Sequence, residues 1–160
     1  MFTLGGILLD EYSIFWIKKE FAYHYSHKSD ILFRFIRSYQ ENEKRQDLSG
    51  QYNYITNHFP RRKLIHHVTQ FCDRRDKIKI HDHQLEISNN HRYLALHIYE
   101  KQLTFYCDSL DTAEDLLFPI LRSFHPFLFI IGNNLENYGW ISPITKRRQF
   151  NNRQVLYSYP

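Results

Sequence analysis

The sequence predicts an α/β fold of the α+β kind: one compact domain, with a mixed or antiparallel sheet of about five strands packed against three to four helices. Three observations carry this. The chain is 160 residues long, one domain's worth, and 42% of it is apolar. Its first half holds apolar stripes at helical spacing. Its second half is dominated by short runs with period-two alternation, separated by turn residues.

Taken in order, residues 1–10 read as an N-terminal extension, because an apolar start meets Asp10 and Glu11 at once and has no basic leader. Residues 12–17 are β-branched and aromatic and predict a strand. Residues 18–25 predict a short helix. Ser29 is placed as the N-cap of a second helix with Asp30 in its first turn, and Leu32, Phe35, Ile36 and Tyr39 form one stripe. Residues 40–50 are polar, end in Ser49-Gly50 and predict a loop. A third helix is expected to begin at Pro60 and to bury Leu64, Ile65, Val68, Phe71 and Cys72.

Residues 85–88, 93–99 and 103–107 predict an antiparallel meander, turned at Glu100-Lys101-Gln102. In its middle strand Leu94, Leu96 and Ile98 alternate with Ala95, His97 and Tyr99, so one face is core. Asp111 and Glu114 match a capping box at the start of a last helix carrying Ala113, Leu117, Ile120, Leu121 and Phe124. Pro119 lies inside that helix and predicts a kink near Asp115. Residues 127–131 predict a buried strand and 138–141 a short final one. The domain is bounded at residues 11–144, and residues 145–160 read as a basic, flexible tail.

Composition narrows the function. Aromatics at 17% and charged residues at 24% exclude a disordered or fibrous chain, and five Gly leave little for a phosphate cradle. Two cysteines, Cys72 and Cys107, make no disulfide framework and point to a reducing, cytoplasmic setting. No run reaches the roughly 20 apolar residues that cross a membrane. The net charge of +4 is segmented: residues 61–80 carry 7 basic against 2 acidic side chains, and residues 81–145 carry 3 against 8. Arg61, Arg62, Lys63, Arg74 and Arg75 therefore form a basic patch, the basis of an alternative reading as a nucleic-acid-binding module.

Catalytic signals are absent from the sequence. It holds no nucleophile elbow, Walker loop or H-E-x-x-H. The ten histidines pair as His24 with His27, His66 with His67 and His81 with His83, but no C-x-x-C accompanies them, so neither a metal nor another cofactor is expected. Cys107 on a strand reads as a core thiol. The acidic cluster Asp108, Asp111, Glu114 and Asp115 is explained by a helix start.

The segment that stands out is Lys19-Glu20-Phe21-Ala22-Tyr23-His24-Tyr25. On a helix Phe21 and Tyr25 share a face, while Tyr23 and His24 lie around the circumference. So short an element cannot bury all of them, and exposed aromatics on a rigid helix are anchors of protein interfaces.

The run YSIFWIKKEFAYHY over residues 12–25 resembles the N-terminus of the SirA family, the sporulation inhibitors of replication of endospore-forming bacteria. Phe33-Arg34-Phe35, QYNYIT over 51–56 and YGWISP over 138–143 fit the same family in the same order. The resemblance implies a small non-enzymatic inhibitor, monomeric alone, that binds the N-terminal domain of the replication initiator DnaA as one-to-one heterodimer. It further implies that Phe21 and Tyr25 are the contact anchors, with Gln51 and Tyr54 as supporting contacts. The YGWISP segment, with Gly139 between two large aromatics, is expected to be structural.

Overall fold

A computed structural model describes residues 2–144. The strand predicted over 12–17 is longer and starts earlier. β1 (Phe2–Leu4) and β2 (Ile7–Trp16) form a hairpin through Gly5 and Gly6, both at positive φ, where glycine carries no steric cost. The boundary expected at residue 11 therefore falls within β2, and residues 2–10 hold β1, the Gly5-Gly6 turn and the start of β2. Leu9 is already buried. The predicted tail, 145–160, lies outside the described residues.

Four helices follow: α1 (Lys19–Tyr25), α2 (Ser29–Glu41), α3 (Gln46–Ile55) and α4 (Arg61–Phe71). The loop expected over 40–50 is only half correct, since α3 starts at Gln46 and runs through Ser49-Gly50. Burial of Tyr52 and Ile55 on its inner face outweighs the poor propensity of that pair. Ser29 is the first helical residue and not the N-cap. It is buried, and its hydroxyl accepts a bond from Trp140 Nε1 at 3.3 Å, which ties α2 to the sheet. Pro60 is the N-cap of α4 rather than its first residue. Phe71 is 56% exposed rather than core, because the helix ends there; its ring packs along His67.

The meander is present with one more strand than predicted: β3 (Lys77–His81), β4 (Gln84–Ser88), β5 (Tyr93–Ile98) and β6 (Leu103–Cys107). β3 is an edge strand whose charged, exposed alternation hid it from a hydrophobicity-based reading. Next come α5 (Leu110–Leu116) and α6 (Phe118–Phe124). The capping box at Asp111 is not formed: Ser109 is the N-cap, and Glu114 instead meets Arg122 in a two-pronged ion pair at 2.6 and 2.9 Å. The kink expected from Pro119 is a full break at Leu117, with Pro119 in the first turn of α6, where its missing N–H is harmless. β7 (Leu128–Gly132) and β8 (Tyr138–Trp140) are the last elements among the described residues.

The described residues thus hold six helices, not three to four, and a seven-stranded path, not about five. Every pairing is antiparallel, in the order β3-β4-β5-β6-β2-β7-β8, with β1 on β2 beside that path. Alternation along β2 and β7 then builds two cores on opposite faces. Tyr12, Ile14, Leu128 and Ile130 pack with α4, α5 and α6. Phe15, Ile17, Phe129 and Ile131 pack with α1, α2 and α3. Trp140 is fully buried in the second core, the structural role expected of the YGWISP segment.

Candidate functional site

The second core shapes the surface above it. Ala22 is the only fully buried side chain of α1, whose roughly two turns can seal little more against the sheet. Phe21 and Tyr25, one turn apart, pack half-buried on the rim of that core. Tyr23 and His24 are exposed; Tyr23 leans edge-on against Phe127 at 5.5 Å and His24 against Tyr25 at 4.8 Å. The helix carries more rings than its core contact can cover.

Across from α1, the last turn of α3 presents Gln51 and Tyr54 to solvent while Tyr52 and Ile55 point inward. Tyr54 is 65% exposed, yet it is held: its ring meets that of Phe21 edge to face at 5.3 Å, and the Lys18 ammonium lies 5.3 Å from its centroid. Backbone bonds lock the two helices at this point. Lys18 N–H donates to the Ile55 carbonyl at 2.8 Å, Asn57 N–H donates to the Trp16 carbonyl at 2.8 Å, and Ile17 and Thr56 form a β-bridge. Of the four sequence-predicted residues, Phe21 and Tyr54 are brought into direct contact. Tyr25 sits one turn along α1 from Phe21, and Gln51 sits one turn before Tyr54.

Behind this surface, Tyr52 stacks on Tyr39 at 4.0 Å, and burial pushes both phenols up from their ordinary pKa. Tyr52 donates to the Lys101 carbonyl at 3.2 Å. The Lys101 side chain returns to α3, donating to the carbonyls of Asn53 and Thr56 and to the Thr56 hydroxyl. Sequence reasoning treated Lys101 only as a turn residue. The signal was weak, because a lysine that caps a helix distant in sequence leaves no local pattern.

The basic patch does not assemble as one site. Arg61, Arg62 and Lys63 open α4, whereas Arg74 and Arg75 follow its far end, about 16 Å away at 1.5 Å per residue over 11 residues. Arg61 faces Asp82 at 3.8 Å and Arg75 faces Asp73 at 3.4 Å, so part of the charge is locally neutralised. Lys77 and Lys79 lie on the sheet edge, the usual guard against strand pairing.

The other candidate chemistry is absorbed by structure. Asp108 accepts from the Thr112 hydroxyl at 2.6 Å, Glu114 pairs with Arg122, and Asp115 pairs with Arg92 at 2.7 Å. His67 bonds the Ile120 carbonyl and the Ser123 hydroxyl. Among the described residues no three His, Cys, Asp or Glu side chains converge as metal ligands. Burial pushes the Cys107 thiol up to about 12, far from a nucleophile's range. No described helix is long and apolar enough to cross a membrane.

A family model described as "Sporulation inhibitor of replication protein SirA" matches residues 10–145. A protein of Bacillus subtilis (strain 168) with that same description is 21% identical over 141 residues, covering 85% of this chain and 95% of the relative. The match begins within β2, so the outer part of the β1–β2 hairpin lies beyond it.

Proposed function

The chain belongs to the SirA family, and from that premise we propose that it inhibits the initiation of DNA replication during sporulation by binding the N-terminal domain of DnaA. It acts as a binding protein and not an enzyme, in the cytoplasm where the chromosome lies, as a monomer that forms a one-to-one complex. Phe21 and Tyr25 are its anchors, with Gln51 and Tyr54 as supporting contacts.

The observation that carries this reading is the Phe21–Tyr54 ring pair. It joins two of the segments whose residue patterns resemble the family, and it leaves a well-held tyrosine open to solvent. Aromatic side chains fixed before binding lose little rotamer entropy on association, so their apolar area converts efficiently into affinity. A partner that covers them would occlude whatever surface the initiator uses for assembly or for its helpers.

Calorimetric titration of this chain against the isolated DnaA N-terminal domain tests the proposal. Saturable one-to-one binding is expected. A flat titration at concentrations up to about 100 μM, an affinity weaker than roughly −5.5 kcal/mol, overturns it.

A further inference from the structure

We propose that Lys101 is a positioning residue for the aromatic surface: by capping the C-terminal turn of α3 it holds Tyr54 in place beside Phe21. The inference rests on the binding role assigned above to that surface.

Helix α3 needs such a brace. It is ten residues long, carries Ser49-Gly50 in its middle and has no side-chain hydrogen bond at its N-cap. Helices this short are marginal without tertiary support. At its end, four backbone carbonyls lack helical donors. Two of the carbonyls there are taken by one ammonium: Lys101 Nζ donates to Asn53 O at 2.9 Å and to Thr56 O at 3.2 Å. A third bond, at 3.2 Å, goes to Thr56 Oγ1, which itself donates to Tyr52 O at 2.7 Å. The three ammonium donors are thus matched by three acceptors flanking Tyr54 in sequence. A cation at this helix end also opposes the negative pole of the dipole.

The brace is anchored at its own base. Lys101 sits in the β5–β6 turn, where Tyr99 N–H donates to the Gln102 carbonyl at 2.9 Å and Phe59 N–H to the Glu100 carbonyl at 2.8 Å. The Tyr52 hydroxyl closes the loop by donating to the Lys101 carbonyl. Burial, then the neighbouring Lys18, lowers the lysine's pKa, while Glu100 raises it. The group is a committed part of the scaffold and not a free surface cation. Its bonds go to the residues on either side of Tyr54, so its effect on binding passes through Tyr54.

The test compares Lys101→Met, which keeps an unbranched stem without donors, with Lys101→Arg, which keeps the charge. Amide hydrogen exchange on the free protein should quicken about tenfold or more in the last turn of α3 in Lys101→Met, with β5 and β6 unchanged. Titration with the isolated DnaA N-terminal domain should show affinity reduced about tenfold, driven by faster dissociation. Lys101→Arg should restore most of both. Unchanged exchange in α3 overturns the inference whatever the partner does. So does wild-type affinity in Lys101→Met when Phe21→Ala has lost binding. If folded Phe21→Ala and Tyr54→Ala both bind as wild type, the binding role of the surface is what fails, and the exchange result still decides the brace. Should Lys101→Met not fold, Lys101→Gln, a neutral donor on a shorter stem, carries the same comparison.

Discussion

Phe21 and Tyr54 touch edge to face at 5.3 Å although they stand on different helices, and only one of the two leans on the core. Phe21 is half-buried and receives its orientation from the second core. Tyr54 is mostly exposed and receives its orientation from Phe21, from Lys18 and from the braced end of α3. The two residues therefore differ in what their removal should do.

Phe21→Ala should abolish most binding to the DnaA N-terminal domain, a loss of at least about 2 kcal/mol or roughly 30-fold in affinity. Ala22 and the α2 face keep the core closed, so circular dichroism should still show a folded protein. A folded variant that binds as tightly as wild type removes Phe21 from the interface.

Tyr54→Ala separates binding from stability more cleanly. The side chain is exposed, so the unfolding free energy should move by no more than about 0.5 kcal/mol. Affinity should fall about tenfold, because a held ring is lost from the surface. Gln51→Ala, one turn away and exposed, should cost less than Tyr54→Ala in the same titration. Equal affinities for all three proteins contradict the assigned surface.

Two glycines should respond with opposite sign. Gly50 lies in the middle of α3 with no heavy atom within 4 Å of where a Cβ would stand. Gly50→Ala should therefore stabilise by about 0.5–1 kcal/mol and raise the melting temperature by a few degrees, roughly 2–4 °C per kcal/mol at this size. At Gly132 a Cβ would lie 2.8 Å from Leu135 Cβ and press on the Asn137 amide oxygen. The Gly132 carbonyl also accepts a hydrogen bond from the Arg37 guanidinium at 3.0 Å. Gly132→Ala should lower the melting temperature, and calorimetric scans of the two variants read both signs.

The pattern of legibility follows where the information sits. The stripe Leu32–Ile36 and the alternation Leu94–Leu96–Ile98 were readable because one buried face imposes its period on consecutive residues. β3 was not, since an edge strand with Lys77, Lys79 and His81 exposed imposes no such period. The Ser49-Gly50 pair pointed to a loop by propensity, and tertiary packing of Tyr52 and Ile55 overrode it. The aromatic excess of α1 announced an exposed surface. Its second half, Tyr54, came into view through family resemblance, and Lys101 could not be seen until α3 and the β5–β6 turn were in place.

The remaining prediction concerns pH. His125 packs against Trp16 at 4.4 Å and Phe127 at 5.4 Å, and its Nδ1 accepts the Phe127 N–H at 3.1 Å. Accepting there requires the neutral ring. His125 also caps the C-terminus of α6, which by itself favours a charge, but burial outweighs that and lowers the pKa. His97 is lowered too, first by burial and then by His83. In the unfolded chain both return to about 6.5, so there the unfolded state binds more protons than the folded one. Their contribution is complete above that value and is lost as pH falls through it towards the folded values. Urea unfolding should thus show a lower midpoint at about pH 5.5 than at pH 7.5. His125→Asn, whose amide oxygen can accept the Phe127 N–H without titrating, should flatten that dependence while leaving the Phe21–Tyr54 surface intact. An unchanged slope in this variant would mean that His125 does not titrate as its buried contacts demand.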